Sequence, residues 1–277
     1  MDASKPTLQQ LLDELESSRR AAGVHREQHF DRMRSRCYEL LHKLPLVHGL
    51  NTPEDLAPVL IRKALLSRTQ RGLGPSKAEQ RLAITDQVYL SAGVLYPQKD
   101  AALIFSQRAE DAAEVVASPW DSGAMSGDLC PRLPPCDTAD DRRKYLQRYS
   151  LPAPCYREYL VCYVASCFGQ PEDYLHRQSH QYPDPLGALD ESREVSRIFE
   201  VRVRSLLPTE PKTLLAVFVP DLDGDANSHR VRSALEQLRK QSVDVKYYNG
   251  AQGTLRTRVQ DWILAAMARS GSQAGSR

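Results

Sequence analysis

No apolar run in this sequence approaches the roughly 20 residues that a membrane-spanning helix requires, so no membrane span is expected. The first fifteen residues hold Asp2, Asp13 and Glu14 among their apolar side chains and lack the basic start and continuous apolar stretch of a signal peptide. The chain is therefore expected to stay in the compartment where it is made, read here as the cytoplasm. An excess of charge is missing too: 37 Lys and Arg face 35 Asp and Glu, leaving a net charge of +2. That is too small a field to draw the whole molecule onto nucleic acid or an anionic membrane, so any such contact needs a local patch. No phosphate-binding Walker loop, Rossmann glycine fingerprint, nucleophile elbow or zinc-protease helix is present.

Cysteine is sparse, at six residues in 277. Without a secretory signal, reduced thiols are the expectation. Cys130 and Cys136 sit in a proline-rich stretch with no His at zinc-finger spacing, which leaves free loop thiols as the preferred reading. Cys155 and Cys162, seven apart on an expected helix, read as small core residues. His25 and His29 have a helical spacing of four but no visible third ligand, so no metal site is assigned.

The apolar content of 41% suffices for a real core. Leu8, Leu11, Leu12 and Leu15, then Phe30, Met33, Leu40, Leu41 and Leu44, repeat at helical spacing up to Pro45, predicting one long or two short helices over 7–44. A helix is predicted from Thr52-Pro53-Glu54-Asp55, carrying Leu56, Val59, Leu60, Ala64 and Leu65. Val88 to Leu90 and Ala101 to Phe105 read as two strands, or a strand and a short buried segment, and residues 117–143 as a long loop rich in Pro and Gly. Leu151 to Tyr174 reads as one helix with an aromatic stripe. Ile198 to Val203 reads as a strand with one polar face, Leu214 to Val219 as a buried strand, and Arg230 to Lys240 as a helix. A strand at Val243 to Tyr248, a helix at Arg256 to Met267 and a mobile tail at 269–277 complete the pattern.

Two stretches, taken together, carry a resemblance. One is Val47-His48-Gly49-Leu50-Asn51, followed by Asp55 to Leu60 and by Ala64-Leu65-Leu66-Ser67-Arg68. The other is Phe199-Glu200-Val201-Arg202-Val203, then Leu207-Pro208, the strand to Pro220, the helix around Val231 to Leu238 and Val243-Asp244-Val245. This order resembles that of ADP-ribosyltransferases of the DarT type, toxins that modify DNA, and more distantly the RNA 2′-phosphotransferases. It covers about Leu46 to Tyr248.

The resemblance implies an α+β fold with a split β-sheet core over residues 46–268, preceded by an N-terminal helical segment at 1–45. It implies transfer of ADP-ribose from NAD, used as substrate and without a metal, to a macromolecular acceptor such as a nucleic-acid base. A cognate inhibitor protein is implied as a further partner. Carried over by position, His48 would meet the NAD ribose and Glu200 would be the catalytic carboxylate, with Asn51, Ser67, Arg68, Arg71, Tyr89 and Tyr96 around the NAD. The chain departs from the family twice. Leu50 stands where a threonine follows the histidine, and Ser91 to Tyr96 offers no arginine after the first long strand, so the diphosphate would depend on Arg68 or Arg71. A degenerate binding module and an RNA 2′-phosphotransferase-like enzyme are the alternatives.

The chemistry fits those residue types. Breaking the bond between nicotinamide and ribose builds positive charge at C1′, which a carboxylate stabilises. Glu200 is the one acid on an otherwise apolar and basic strand, where it must face a cleft or solvent. A neutral imidazole such as that of His48 both donates and accepts toward hydroxyls. The segment Ser118 to Gly123 sets Trp120 beside Asp121 and Ser122, suited to stacking on a base or nicotinamide, or else to anchoring its loop. His180 and Tyr182, shortly before the Glu200 strand, are candidates for acceptor recognition. Arg62, Lys63, Arg68, Arg71, Lys77 and Arg81 fall within twenty residues and form the best nucleic-acid patch, or the solvated face of a helix. Asp221, Asp223 and Asp225 alternate like half a calcium loop but lack its closing glutamate, and read as a turn.

Overall fold

The structure, a computed structural model, describes residues 5–21, 23, 27–111, 114–123, 138–176, 198–221, 226–249 and 253–274. The chain divides into two compact units, each discontinuous in sequence: Met1–Lys43 with Gly74–Thr85 and Val115–Val201, and Leu44–Leu73 with Asp86–Glu114 and Arg202–Arg277. The N-terminal helices thus belong to a unit with two later stretches of chain.

The first unit holds helices α1 (Leu8–Ala21), α2 (Glu27–Leu41), α4 (Lys77–Leu82), α6 (Ala139–Arg148), α7 (Cys155–Cys167) and α8 (Pro171–Leu175). It also holds strands β5 (Val115–Ser118) and β6 (Leu151–Pro152) and the start of β7 (Glu200–Arg204). The second unit holds the rest of β7 with β1 (Leu46–Leu50), β2 (Ala64–Leu66), β3 (Gln87–Ala92), β4 (Ala101–Phe105), β8 (Leu206–Pro208), β9 (Leu214–Pro220) and β10 (Asp244–Tyr248). Its helices are α3 (Leu56–Arg62), α5 (Arg108–Asp111), α9 (Ala226–Lys240) and α10 (Gly253–Ala274), with a 3-10 turn at Pro53–Asp55.

In the second unit the strand order is β10-β9-β4-β1-β3-β7, and β2 pairs with β8 as a separate ribbon. Strand β1 runs antiparallel to both β3 and β4, with His48 opposite Leu103, and β4 is antiparallel to β9. Only the β9–β10 pair is parallel among the pairings described, and α9 packs on β10 and α3. All five residues of β4 are buried, as expected of a strand covered on both faces. In the first unit β5 neighbours β7 and pairs antiparallel with β6. Helix α7 is the centre of that unit: eleven of its residues are buried, and it packs against α1, α2 and α8. The protein is a mixed α and β fold with mainly antiparallel strands, and no helix among the described residues is long and apolar enough to cross a membrane.

The N-terminal pattern, read as one long or two short helices, forms two, with Gly23 at φ 67 between them. Several other expectations need correction. The helix expected from Thr52 stops at Arg62, because Lys63 turns into the left-handed region at φ 55 and sends Ala64–Leu66 out as a strand. Leu65 and Leu207 then face each other across the ribbon. The loop expected over 117–143 begins as the end of β5 and finishes inside α6, whose start is fixed by a capping box: the Thr138 hydroxyl accepts from the Asp141 N–H while Asp141 receives the Thr138 N–H. The single helix expected over 151–174 is a short strand and two helices, since Pro152 and Pro154 cannot sit inside a helix and Pro171 opens a new one. Of its cysteines, Cys162 is in the core and Cys155 is half-buried. The polar face of the Glu200 strand does not meet solvent: Glu200 and Arg202 are each 2% exposed, beside Val201 and Val203 at 0%. The expected mobile tail contributes its first residues to α10, which continues to Ala274. Once a helix is nucleated, each further residue adds a hydrogen bond at little cost.

Candidate functional site

The two residues on which the sequence reading turns lie in different units, His48 in the second and Glu200 in the first. Each is built by its own neighbourhood.

Strand β1 places His48 in mid-sheet at intermediate burial. Its Nδ1 lies 2.7 Å from the carbonyl oxygen of Tyr89, the residue that β3 supplies. A carbonyl can only accept, so Nδ1 carries the proton and Nε2 keeps its lone pair. Burial is the main reason that the imidazole titrates far below its ordinary value, at about 4. The Tyr89 bond works the other way, and the positive charges of Lys99 and Arg71 lower it further. His48 is therefore neutral at physiological pH, an acceptor and donor with no charge of its own. A Cβ at the adjacent Gly49 would come within 2.5 Å of the Lys99 Cγ, so any larger residue there requires the Lys99 side chain to shift. The Lys99 stem lies over β1 in that gap, and its ammonium donates to the Asn51 side-chain oxygen.

Ser67 closes a different structure. Its hydroxyl donates to Asp86 Oδ1 at 2.5 Å, the Ser205 hydroxyl donates to Asp86 Oδ2 at 2.6 Å, and the Ser67 N–H donates to the Ser205 carbonyl at 2.8 Å. The two hydroxyls hold the Asp86 carboxyl below its ordinary titration range. Ser67 is 1% exposed, so its side chain braces the ribbon end rather than reaching into solvent. Beyond it, Arg68 and Arg71 are exposed on a turn closed by Arg71 N–H to the Ser67 carbonyl. Tyr89 and Tyr96 are at intermediate burial.

In the first unit, Glu200 opens β7 with its carboxylate buried. Its Oε2 accepts both the backbone N–H of Ser122, at 3.2 Å, and the Ser122 hydroxyl, at 3.0 Å. Ser122 is itself placed by the chain leaving β5, where the Asp121 carboxylate accepts the Gly123 N–H at 2.6 Å. The preceding residue is pinned as well: Phe199 donates its N–H to the Tyr174 hydroxyl and packs edge-on against Tyr163. The strand start and the β5 exit thus hold one carboxylate oxygen between two donors.

Trp120 is fully buried and sits about 5 Å from both Tyr145 and Tyr149, with ring centroids at 4.9 and 5.0 Å. This packing accords with the anchoring role. Asp121 and Ser122 are buried beside it. His180 and Tyr182 lie outside the described residues, as do Cys130, Cys136, His25, Asp223 and Asp225. The basic cluster is divided: Arg62, Lys63, Arg68 and Arg71 count with the second unit, Lys77 and Arg81 with the first. Among the described residues, no group of three or more His, Cys, Asp or Glu side chains is placed to hold a metal ion.

Sequence reasoning named Ser122 for its loop composition but not its partner, because the hydrogen bond spans 78 positions. It passed over Asp86, Ser205 and Lys99. Asp86 and Ser205 take positive φ, at 63 and 62, a conformation that Gly marks reliably in a sequence, Asp only occasionally and Ser hardly at all. No family model matches the chain, and no curated protein matches it either.

Proposed function

We propose that the protein cleaves NAD and transfers ADP-ribose to a macromolecular acceptor, with a nucleic-acid base as the first acceptor to test. The observation that carries this reading is the Glu200 carboxylate, 2% exposed and with Oε2 held by two donors from Ser122. A carboxylate fixed in a poorly solvated setting stabilises positive charge at a ribose C1′ more than one in water would, because it need not reorganise as the charge develops. Ser122 is a positioning residue in this scheme: it orients the carboxylate and reaches no substrate atom itself.

His48 supports the reading through its protonation state. Neutral, with Nδ1–H committed to the Tyr89 carbonyl, it presents Nε2 as an acceptor for a ribose hydroxyl of NAD. The Arg71 charge is among those that lower the His48 titration, and in this reading it pairs with the NAD diphosphate.

The test is NAD consumption by the purified full-length protein, alone and with DNA, RNA or protein acceptors, compared with Glu200→Gln. The substitution keeps an oxygen for Ser122 to bond and removes the negative charge. Turnover should fall by about 10²- to 10³-fold with far-UV circular dichroism unchanged. Full turnover in a folded Glu200→Gln protein would refute the assignment. Binding of NAD with no nicotinamide release in the unsubstituted protein would replace it with a binding module.

A further inference from the structure

Three segments of the second unit meet at Asp86, and their junction ties a cation to the strand that orients His48. Asp86 stands at the entry to β3, at φ 63, and β3 carries the Tyr89 carbonyl that fixes the His48 ring. Its Oδ1 receives the Ser67 hydroxyl at 2.5 Å, its Oδ2 receives the Ser205 hydroxyl at 2.6 Å, and its carbonyl receives the Ser205 N–H at 2.8 Å. A carboxylate can only accept, so both hydroxyl protons are committed to it and each serine oxygen keeps its lone pairs. Ser67 uses one of them to receive the Gln70 N–H at 3.1 Å. From there the chain closes on itself. The Arg71 N–H reaches the Ser67 and Arg68 carbonyls, both at 3.1 Å, while the Gly72 N–H reaches Thr69 and the Leu73 N–H reaches Arg68, each at 2.9 Å. Residues 67–73 are thus one hydrogen-bonded turn, and Ser67, 1% exposed, is the residue by which Asp86 holds it.

That turn carries Arg71, an exposed side chain whose positive charge is among those that lower the His48 titration. We infer that Asp86, given the NAD reading on which this depends, is a positioning residue: acting through Ser67, it sets the turn against β3 and so places Arg71 for the diphosphate. Asp86 itself touches no substrate atom in this scheme. Its carboxylate is ionised at neutral pH, because the Ser205 and Ser67 hydroxyls and the Arg204 charge hold its titration low, and Arg204 also pairs with Glu114 at 3.2 Å. Charge and geometry therefore make opposite demands on a substitution here. Asp86→Asn removes a negative charge, which by itself would favour a bound anion. It also leaves one side-chain oxygen for two hydroxyl donors, because an amide nitrogen only donates, so the hold on the turn is loosened. Weaker binding of NAD after Asp86→Asn has the sign that lost positioning gives and lost charge does not.

The test follows nicotinamide release by the full-length protein across a range of NAD concentrations, with amide hydrogen exchange of residues 67–73 measured on the same samples. Asp86→Asn and Ser67→Ala should each raise KM for NAD about tenfold, leave kcat within about twofold, and speed exchange at Gln70 and Leu73. Arg71→Ala should raise KM to a similar extent without speeding that exchange. Ser67→Ala combined with Arg71→Ala should then raise KM no further than Arg71→Ala alone, which a general loss of stability would not produce. Should Asp86→Asn fail to fold, Ser67→Ala and its double variant carry the same comparison. With NAD cleaved by the unsubstituted protein, KM unchanged in folded Ser67→Ala, or losses that multiply in the double variant, would overturn the inference and leave the proposed function standing. Absence of nicotinamide release by the unsubstituted protein would remove that function, and the role of Asp86 with it.

Discussion

At the scale of single residues, His48 gives the clearest consequence. Burial depresses its titration from 6.5 to about 4, so between those values the unfolded chain holds a proton that the folded chain does not. Stability from this source is complete above about pH 6.5 and declines as the pH falls toward 4, the loss reaching at most about 3 kcal/mol. Urea midpoints measured from pH 7 to pH 4.5 should fall more steeply for the natural protein than for His48→Gln. Parallel curves for the two would remove His48 as a source of the dependence. Cys37 shows the same physics with the opposite sign: burial first, then the neighbouring Cys162, pushes its thiol up to about 12. It remains a neutral, inert core group across the physiological range.

At the scale of elements, backbone conformation decides more than hydrophobic period. Helix α4 begins with a capping box, where the Ser76 hydroxyl accepts from the Glu79 N–H and Glu79 receives the Ser76 N–H at 2.6 Å. It ends with Ala83 at φ 53, and the Ile84 N–H reaches back to the Glu79 carbonyl at 3.1 Å. That closure prefers glycine, because a Cβ in the left-handed region is strained. Ala83→Gly should raise the stability of the first unit by about 0.5–1 kcal/mol, read as an increase in melting temperature. A decrease would show that the unfolded-state entropy of glycine outweighs the relieved strain. Lys63 plays the same part at the end of α3 and explains why a continuous apolar pattern, from Leu56 through Leu65, divides between a helix and a strand.

At the scale of the whole molecule, the chain builds two units, with His48 counted in the second and Glu200 in the first. The proposed chemistry gives the two residues a kinetic test. Residues that serve one transition state are not additive, so His48→Ala with Glu200→Gln should lose little more turnover than Glu200→Gln alone. Fully multiplicative losses, each at unchanged circular dichroism, would mean that the two act independently and would separate His48 from the reaction.

Much of the helix and strand content was legible because apolar spacing records it: α1 and α2, β4, β9, α9 and β10 stand close to where their periodicity places them. Glu200 was legible as the lone acid of its strand, and His48 through its sequence neighbours. The pattern could not show that the Glu200 face is buried, because a residue's period tells which side it takes and not what covers that side. Nor could it show Ser122 beneath the carboxylate or the Tyr89 carbonyl at His48, bonds that cross 78 and 41 positions. The local sequence determined the elements, through side-chain spacing and proline. Tertiary structure alone decided the environment of each polar group, because burial and hydrogen-bond partners come from segments distant in the chain.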